Sequence, residues 1–147
     1  LETLHRRRDA LFLAVLEGVG AWSRLGRWRH RHLVGLRDFF GGVEDIVIVT
    51  EYHGDTNDLE SLSDAMKRHF YVGTQSEIAS KCLDIAIQLA YALQCVHNER
   101  IILQSLSPSL ILLHNKSEVR LRPDILSMRP AFLSDGDEAA AADPAGV

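Results

Sequence analysis

Residues 101–113, IILQSLSPSLILL, have the spacing and apolar frame of a loop that carries catalytic side chains. The positions inside that frame where chemistry would sit hold Leu103, Gln104, Ser105, Ser107 and Leu110. A serine hydroxyl exchanges hydrogen bonds but carries no charge near neutral pH, so none of the five can act as a carboxylate base, and Leu110 offers no oxygen to a hard cation. Other reactive residue types lie apart from this loop. His30 and His32 form a His-x-His pair, but no second pair at ligand spacing accompanies them, which argues against a metal site. Cys82 and Cys95 are thirteen residues apart in one helical pattern, about 20 Å along a helix axis, too far to bridge. They read as small apolar core residues of a protein in a reducing, cytoplasmic compartment.

Charge is the remaining resource. The net charge of -4 comes from the last fourteen residues, SDGDEAAAADPAGV, where Asp135, Asp137, Glu138 and Asp143 meet no base. Without those four of the 20 acids, 16 acids face 16 Lys and Arg, so the body is neutral. Within it, Arg6, Arg7, Arg8, Arg24, Arg27, Arg29, Arg31 and Arg37 are opposed between His5 and Arg37 only by Asp9 and Glu17. Such a run can hold phosphate or nucleic acid, but no stacking array of aromatics accompanies it. It therefore reads as a solvated helix face and loop, with nucleic acid not expected as a partner.

These residues must be positioned by a chain that is 46% hydrophobic and 24% charged, a balance that can bury a core. Residues 9–23 place Phe12, Val15, Leu16, Val19 and Trp22 on one helical face. The basic-then-apolar stretch HRRRDALFLAVLEGVGA is patterned like a signal peptide, but Asp9 and Glu17 interrupt it, so an amphipathic helix fits better. No stretch has the length of a membrane span. HLVGLRDFF and IVIVTEY read as two strands joined by the turn GGVED. Thr74 and Glu77 form a capping box ahead of a helix to about His97, with Ile78, Cys82, Ile85, Leu89, Leu93 and Val96 on its core face. Ser107-Pro108 then breaks the chain, LILL reads as a buried strand, HNKS as a turn, and EVRLR as a partner strand with Val119 and Leu121 on one face. Pro123 and Pro130 end regular structure, and the acidic, Ala-rich tail has too little to bury and reads as disordered.

Taken in order, these pieces resemble a protein kinase domain over roughly residues 10–126. RHRHLVGLRDFF is similar to the family's segment after helix C and its fourth strand, IVIVTEY to the fifth strand entering the hinge, LDIAIQLAYALQCVHNERII to helix E, and LSPSLILLHNKSEVRL to the catalytic loop and the two strands beneath it. The resemblance implies an α+β fold. Residues 1–8 would be a basic lead, 9–50 part of the N-lobe with helix C and the fourth and fifth strands, 51–54 the hinge, 55–126 the first part of the helical C-lobe, and 127–147 a tail. It places Thr50 at the gatekeeper position and Glu51, Tyr52 and His53 in the hinge.

Against the family's H-R-D-L-K-P-x-N-I-L, Ser105 replaces the catalytic Asp, Ser107 the loop Lys and Leu110 the metal-binding Asn. Leu106, Pro108, Ile111 and Leu112, the packing half of the motif, persist. Without a gap the D-F-G positions are Pro123-Asp124-Ile125, which the alternation of the preceding strand favours; with one inserted residue Asp124 becomes the metal ligand and Leu126 stands for the Gly. The helix C Glu position falls on Ala21, with Glu17 one turn earlier, and neither the glycine-rich loop nor the strand Lys is found.

The resemblance thus implies an inactive, pseudokinase-like piece, truncated on both sides, with a regulatory or protein-interaction role. The alternative is a divergent serine/threonine protein kinase that still binds ATP. No catalytic residue, metal or obligatory cofactor is expected, and the resemblance leaves open a site for ATP without turnover. The partner would be another protein or the rest of a parent chain, and no membrane is expected.

Overall fold

A computed structural model describes residues 2–25, 30–41, 45–51, 58–122, 124, 126 and 128–130. It is a mixed α+β fold with three helices and several short strands among those residues. No described helix is long and apolar enough to cross a membrane.

Helix α1 spans Glu2–Leu25, seven residues earlier in its start than the apolar period alone suggests. Residues 2–8, ETLHRRR, contain good helix formers and no breaker, so the helix continues through them. Its packed face is also rotated from expectation. Val15, Ala21, Trp22 and Leu25 are buried and Val19 packs against them, whereas Phe12 and Leu16 are exposed.

Strands β1 (Leu36–Gly41) and β2 (Ile46–Thr50) form the expected antiparallel hairpin, registered from Leu36 opposite Thr50 to Gly41 opposite Ile46, with a bulge between Leu36 and Asp38. Residues 32–34, read as the start of the first strand, do something else. Leu33 bridges to Leu121 in parallel; the Val34 amide donates to the Leu121 carbonyl at 2.9 Å and the Leu121 amide to the His32 carbonyl at 2.8 Å. Gly35, at the crossing between the two pairings, leaves room for the Glu51 carboxylate, whose carbon would lie 2.7 Å from a Cβ there.

Strand β3 (Leu59–Ser61) has no clear period of its own in the sequence. It forms because Leu59–Ser61 can pair antiparallel with β5 (Ile111–His114). Ser61 ends the strand and caps α2 (Leu62–Arg68): its hydroxyl accepts from the Asp64 amide at 3.0 Å. Helix α3 (Gln75–Asn98) begins at the expected capping box, with the Glu77 amide donating to the Thr74 hydroxyl at 3.2 Å and the Thr74 amide to the Glu77 carboxylate at 2.7 Å. Gly73, at φ +130°, supplies the left-handed turn that brings the chain into it. Ile85, Ala92 and Val96 are its buried face. Cys95 is half-buried, but Cys82, read as a core residue, is exposed.

The pair β5 and β6 (Glu118–Leu121) is antiparallel, with His114 opposite Glu118 across a three-residue turn, 115–117, in which Asn115 and Lys116 both take positive φ. Leu113, Val119 and Leu121 are fully buried on the expected face. Gln88 of α3 holds this hairpin with both ends of its amide, donating to the Ser117 carbonyl and accepting from the Val119 amide, each at 2.9 Å. Finally β4 (Ile101–Leu103) pairs with β7 (Met128–Pro130), placing Ile101 and Met128 in the core. Residues 128–130, assigned to the tail from composition, are thus part of the folded body; the rest of the tail, 131–147, lies outside the described residues. Three residues are too few for a strand period to show in the sequence, and β7 exists because β4 offers it an open edge.

Trp22 fastens α1 to this body: its indole N–H donates to the Val34 carbonyl at 2.8 Å in a buried setting. Trp22→Phe keeps most of the ring and leaves that carbonyl without its donor, so it should lower unfolding free energy by about 1–3 kcal/mol, read from the urea midpoint at unchanged m-value.

Candidate functional site

Three segments distant in sequence meet at an open cleft of about 590 Å³. From α1 come Leu11, Val15 and Trp22; from β2, Ile46, Ile48 and Thr50; and from the chain around β6, Leu110, Arg122, Asp124 and Leu126. The β2 residues are alternate positions, so they share one face of the strand. Leu110 sits in a one-turn 3-10 helix, Pro108–Leu110, and its carbonyl accepts from the Arg122 amide at 2.9 Å, which ties the loop to the end of β6. Asp124 organises the next turn: its carboxylate accepts from the Leu126 amide and its carbonyl from the Met128 amide, both at 3.1 Å.

The walls are therefore mostly aliphatic and indole carbon. Among the described lining residues, the polar side chains are the Thr50 hydroxyl, the Arg122 guanidinium and the Asp124 carboxylate. A pocket of this composition favours an apolar body with one or two polar handles.

The residues singled out from sequence distribute unevenly around it. Thr50 and Asp124 line the same cleft, and Leu110 stands beside them with a hydrocarbon side chain. Glu51 is turned to another use. Its amide donates to the Gly35 carbonyl at 2.8 Å and its carboxylate pairs with Arg37 at 3.0 Å, so this position secures the crossover from residues 32–34 into β1. Tyr52 and His53 lie outside the described residues. Ser105 is exposed on the loop, and the Ser107 hydroxyl is hydrogen-bonded to that of Ser109 at 2.7 Å. Ala21 is buried and Glu17 exposed on α1. Arg122 and the α1 residue Leu11 were not foreseen; neither carries a sequence signal, because their place in the cleft depends on how β6 and α1 dock.

A second concavity, about 370 Å³, is lined by Arg31, His32, Asp84, Ile87, Gln88, Ser117 and Glu118. His32 holds the Val119 carbonyl through Nδ1 at 2.9 Å, and His30 Nδ1 accepts from the His32 amide at 3.1 Å, so both imidazoles shape the 30–32 turn. Burial, and then the neighbouring His32, push the His30 pKa down. Among the described residues no group of three or more His, Cys, Asp or Glu side chains could hold a metal ion.

Glu118 is the electrostatic centre of this face. Burial pushes its pKa up, but the hydrogen bond from Arg31 at 3.2 Å and the charges of Arg120 and Arg31 outweigh that and leave it below the usual carboxylate value. His114 Nδ1, 3.6 Å from the carboxylate, is beyond hydrogen-bond reach.

Compared with models of known families and with curated proteins, the chain matches none.

Because the folded Glu118 pKa is depressed, its contribution to stability is present above the unfolded carboxylate pKa and is lost as pH falls through the folded one. Glu118→Gln should therefore flatten the acid side of the stability curve, so that the urea midpoint falls less than in the wild type between neutral pH and about pH 3.

Proposed function

We propose that this chain is a degenerate protein-kinase-like module that does not transfer phosphate and acts through binding, as a regulatory or protein-interaction unit. One observation carries the reading. The three segments that resemble helix C, the gatekeeper strand and the catalytic-loop-to-D-F-G region converge on one cleft, with Thr50, Leu110 and Asp124 around it. Nothing in the local sequence obliges residues so far apart to meet, whereas the resemblance implies that they should.

The inactivity rests on chemistry. Phosphoryl transfer needs a base or orienting group at the nucleophile and metal ions that neutralise developing charge. Ser105 cannot supply the first near neutral pH, and Leu110 offers no oxygen to a cation. Losing both is expected to cost several powers of ten in rate. An interaction role is supported by α3, whose side opposite the buried Ile85, Ala92 and Val96 exposes Leu83, Ile87 and Tyr91 at four-residue steps. A helix apolar on both sides is suited to burial between two layers.

The second reading, a divergent serine/threonine protein kinase that retains ATP binding, is favoured by a single feature: Asp124 shares the cleft with Thr50. A thermal-shift titration of the whole chain with ATP, with and without Mg²⁺ or Mn²⁺, separates the two when paired with a phosphoryl-transfer assay. The inactive module should show no metal-dependent rise in melting temperature and no transfer above that of Asp124→Asn. A saturable, metal-dependent rise together with turnover, both abolished in Asp124→Asn, would overturn it.

A further inference from the structure

The Thr50–Asp124 cleft has apolar walls that nothing among the described residues covers. Leu11, Ile46, Ile48 and Leu126 line it and are 55%, 42%, 39% and 48% exposed. They come from three segments yet face one space. Leu11 lies on the same stripe of α1 as Val15 and Trp22, at steps of four and seven residues, and Ile46 and Ile48 share one face of β2. The Trp22 indole N–H is committed to the Val34 carbonyl, so that ring presents only carbon to the cleft. Apolar side chains gathered uncovered on one concave surface mark a place where an apolar body binds.

The polar groups of the cleft are unequal. Asp124 is in use, its carboxylate accepting from the Leu126 amide at 3.1 Å. Thr50 and Arg122 are not: among the described residues neither the hydroxyl nor the guanidinium has a hydrogen-bond or ion-pair partner, and Arg122 does not pair with Asp124 although both line the space. Arg122 is fixed through its backbone instead, its amide donating to the Leu110 carbonyl at 2.9 Å. The unmet groups are thus two donors, one of them a permanent cation. A guanidinium matches a carboxylate with two parallel hydrogen bonds. With Asp124 beside it, one guanidinium suits a single negative charge; a phosphate or polyphosphate would bring further charge against Asp124 that no other lining residue offsets.

We propose that this cleft binds an aliphatic monocarboxylate, with the carboxylate on the Arg122 guanidinium and the Thr50 hydroxyl and the hydrocarbon chain against Leu11, Ile46, Ile48 and Leu126. A cleft of about 590 Å³ is of the size that takes a small-molecule ligand. The site gives a module that acts through binding a ligand class of its own. It rests on the cleft's chemistry and not on the kinase resemblance, so either reading can fail alone.

Isothermal titration of the full-length chain with decanoate, decanol and decylamine, each below its micelle concentration, tests it. Decanoate should bind one to one and about tenfold more tightly than either decanol or decylamine. Arg122→Gln should bring decanoate down to the affinity of decanol and leave decanol unchanged. Leu126→Ser should weaken decanoate and decanol alike, by about threefold. The three ligands on the wild-type chain carry the test even where a variant fails to fold. No binding of decanoate, decanol as tight as decanoate, or decanoate unchanged in a folded Arg122→Gln or Leu126→Ser would each overturn the site. Tighter decylamine would overturn it by assigning the head group to Asp124. Several molecules per chain without saturation would do so by placing the ligand on the exposed apolar sides of α1 and α3. Neither ATP nor phosphoryl transfer enters these outcomes, so they are distinct from those of the nucleotide titration.

Discussion

The reciprocal backbone hydrogen bonds between residues 32–34 and Leu121 are the joint on which this molecule depends. A single bridge residue, Leu33, carries the chain across the edge of β6, and the same short segment accepts the Trp22 indole N–H through the Val34 carbonyl. Helix α1, the β1–β2 hairpin and the β3–β5–β6 sheet are thereby fastened at one buried place. Trp22, Leu33, Val34 and Leu121 are buried, and an unmade hydrogen bond is costly there. Gly35 and Glu51 continue the joint into β1, the glycine by leaving room for the carboxylate and the carboxylate by pairing with Arg37.

That joint also determines what the cleft can contain. It sets α1 and β2 facing the end of β6, so aliphatic side chains from all three line the space, and polar chemistry is confined to Thr50, Arg122 and Asp124. The carboxylate of Glu51 is committed to structure, the serines of the 105–109 loop are exposed or bonded to each other, and Glu118 is saturated by arginines on another face. Among the described residues, Glu51 and Glu118 hold segments together. The exposed apolar side chains of α3 and of residues 11–16 of α1 are where association has most to gain.

Much of the local structure was legible from residue types. The capping box at Thr74, the hairpin between HLVGLRDFF and IVIVTEY, and the paired strands around HNKS each rest on interactions within a few residues, and each formed as the pattern implied. The misreadings have a common origin in docking. Cys82 shares the helical period of Ile85 and Leu89, yet only the C-terminal part of that face is covered, so it is exposed. Residues 32–34 look like the start of a strand because Leu33 and Val34 are apolar, but they are buried against β6 and not in the hairpin. The cleft was legible in part: Thr50 and Asp124 could be singled out by motif, Arg122 and Leu11 could not.

By itself the sequence determined the types of element, the apolar faces of β5 and β6, and the absence of a carboxylate at Ser105 and of an oxygen ligand at Leu110, because these follow from short-range sterics, hydrogen-bond capacity and side-chain ionisation. Tertiary structure alone decided the pairings of β3 with β5 and of β4 with β7, the rotation of the packed face of α1, and the meeting of Thr50 with Asp124. Three-residue strands gain their stability from a partner edge, and a cleft wall exists only when separate elements dock, so neither leaves a period in the chain that could be read beforehand.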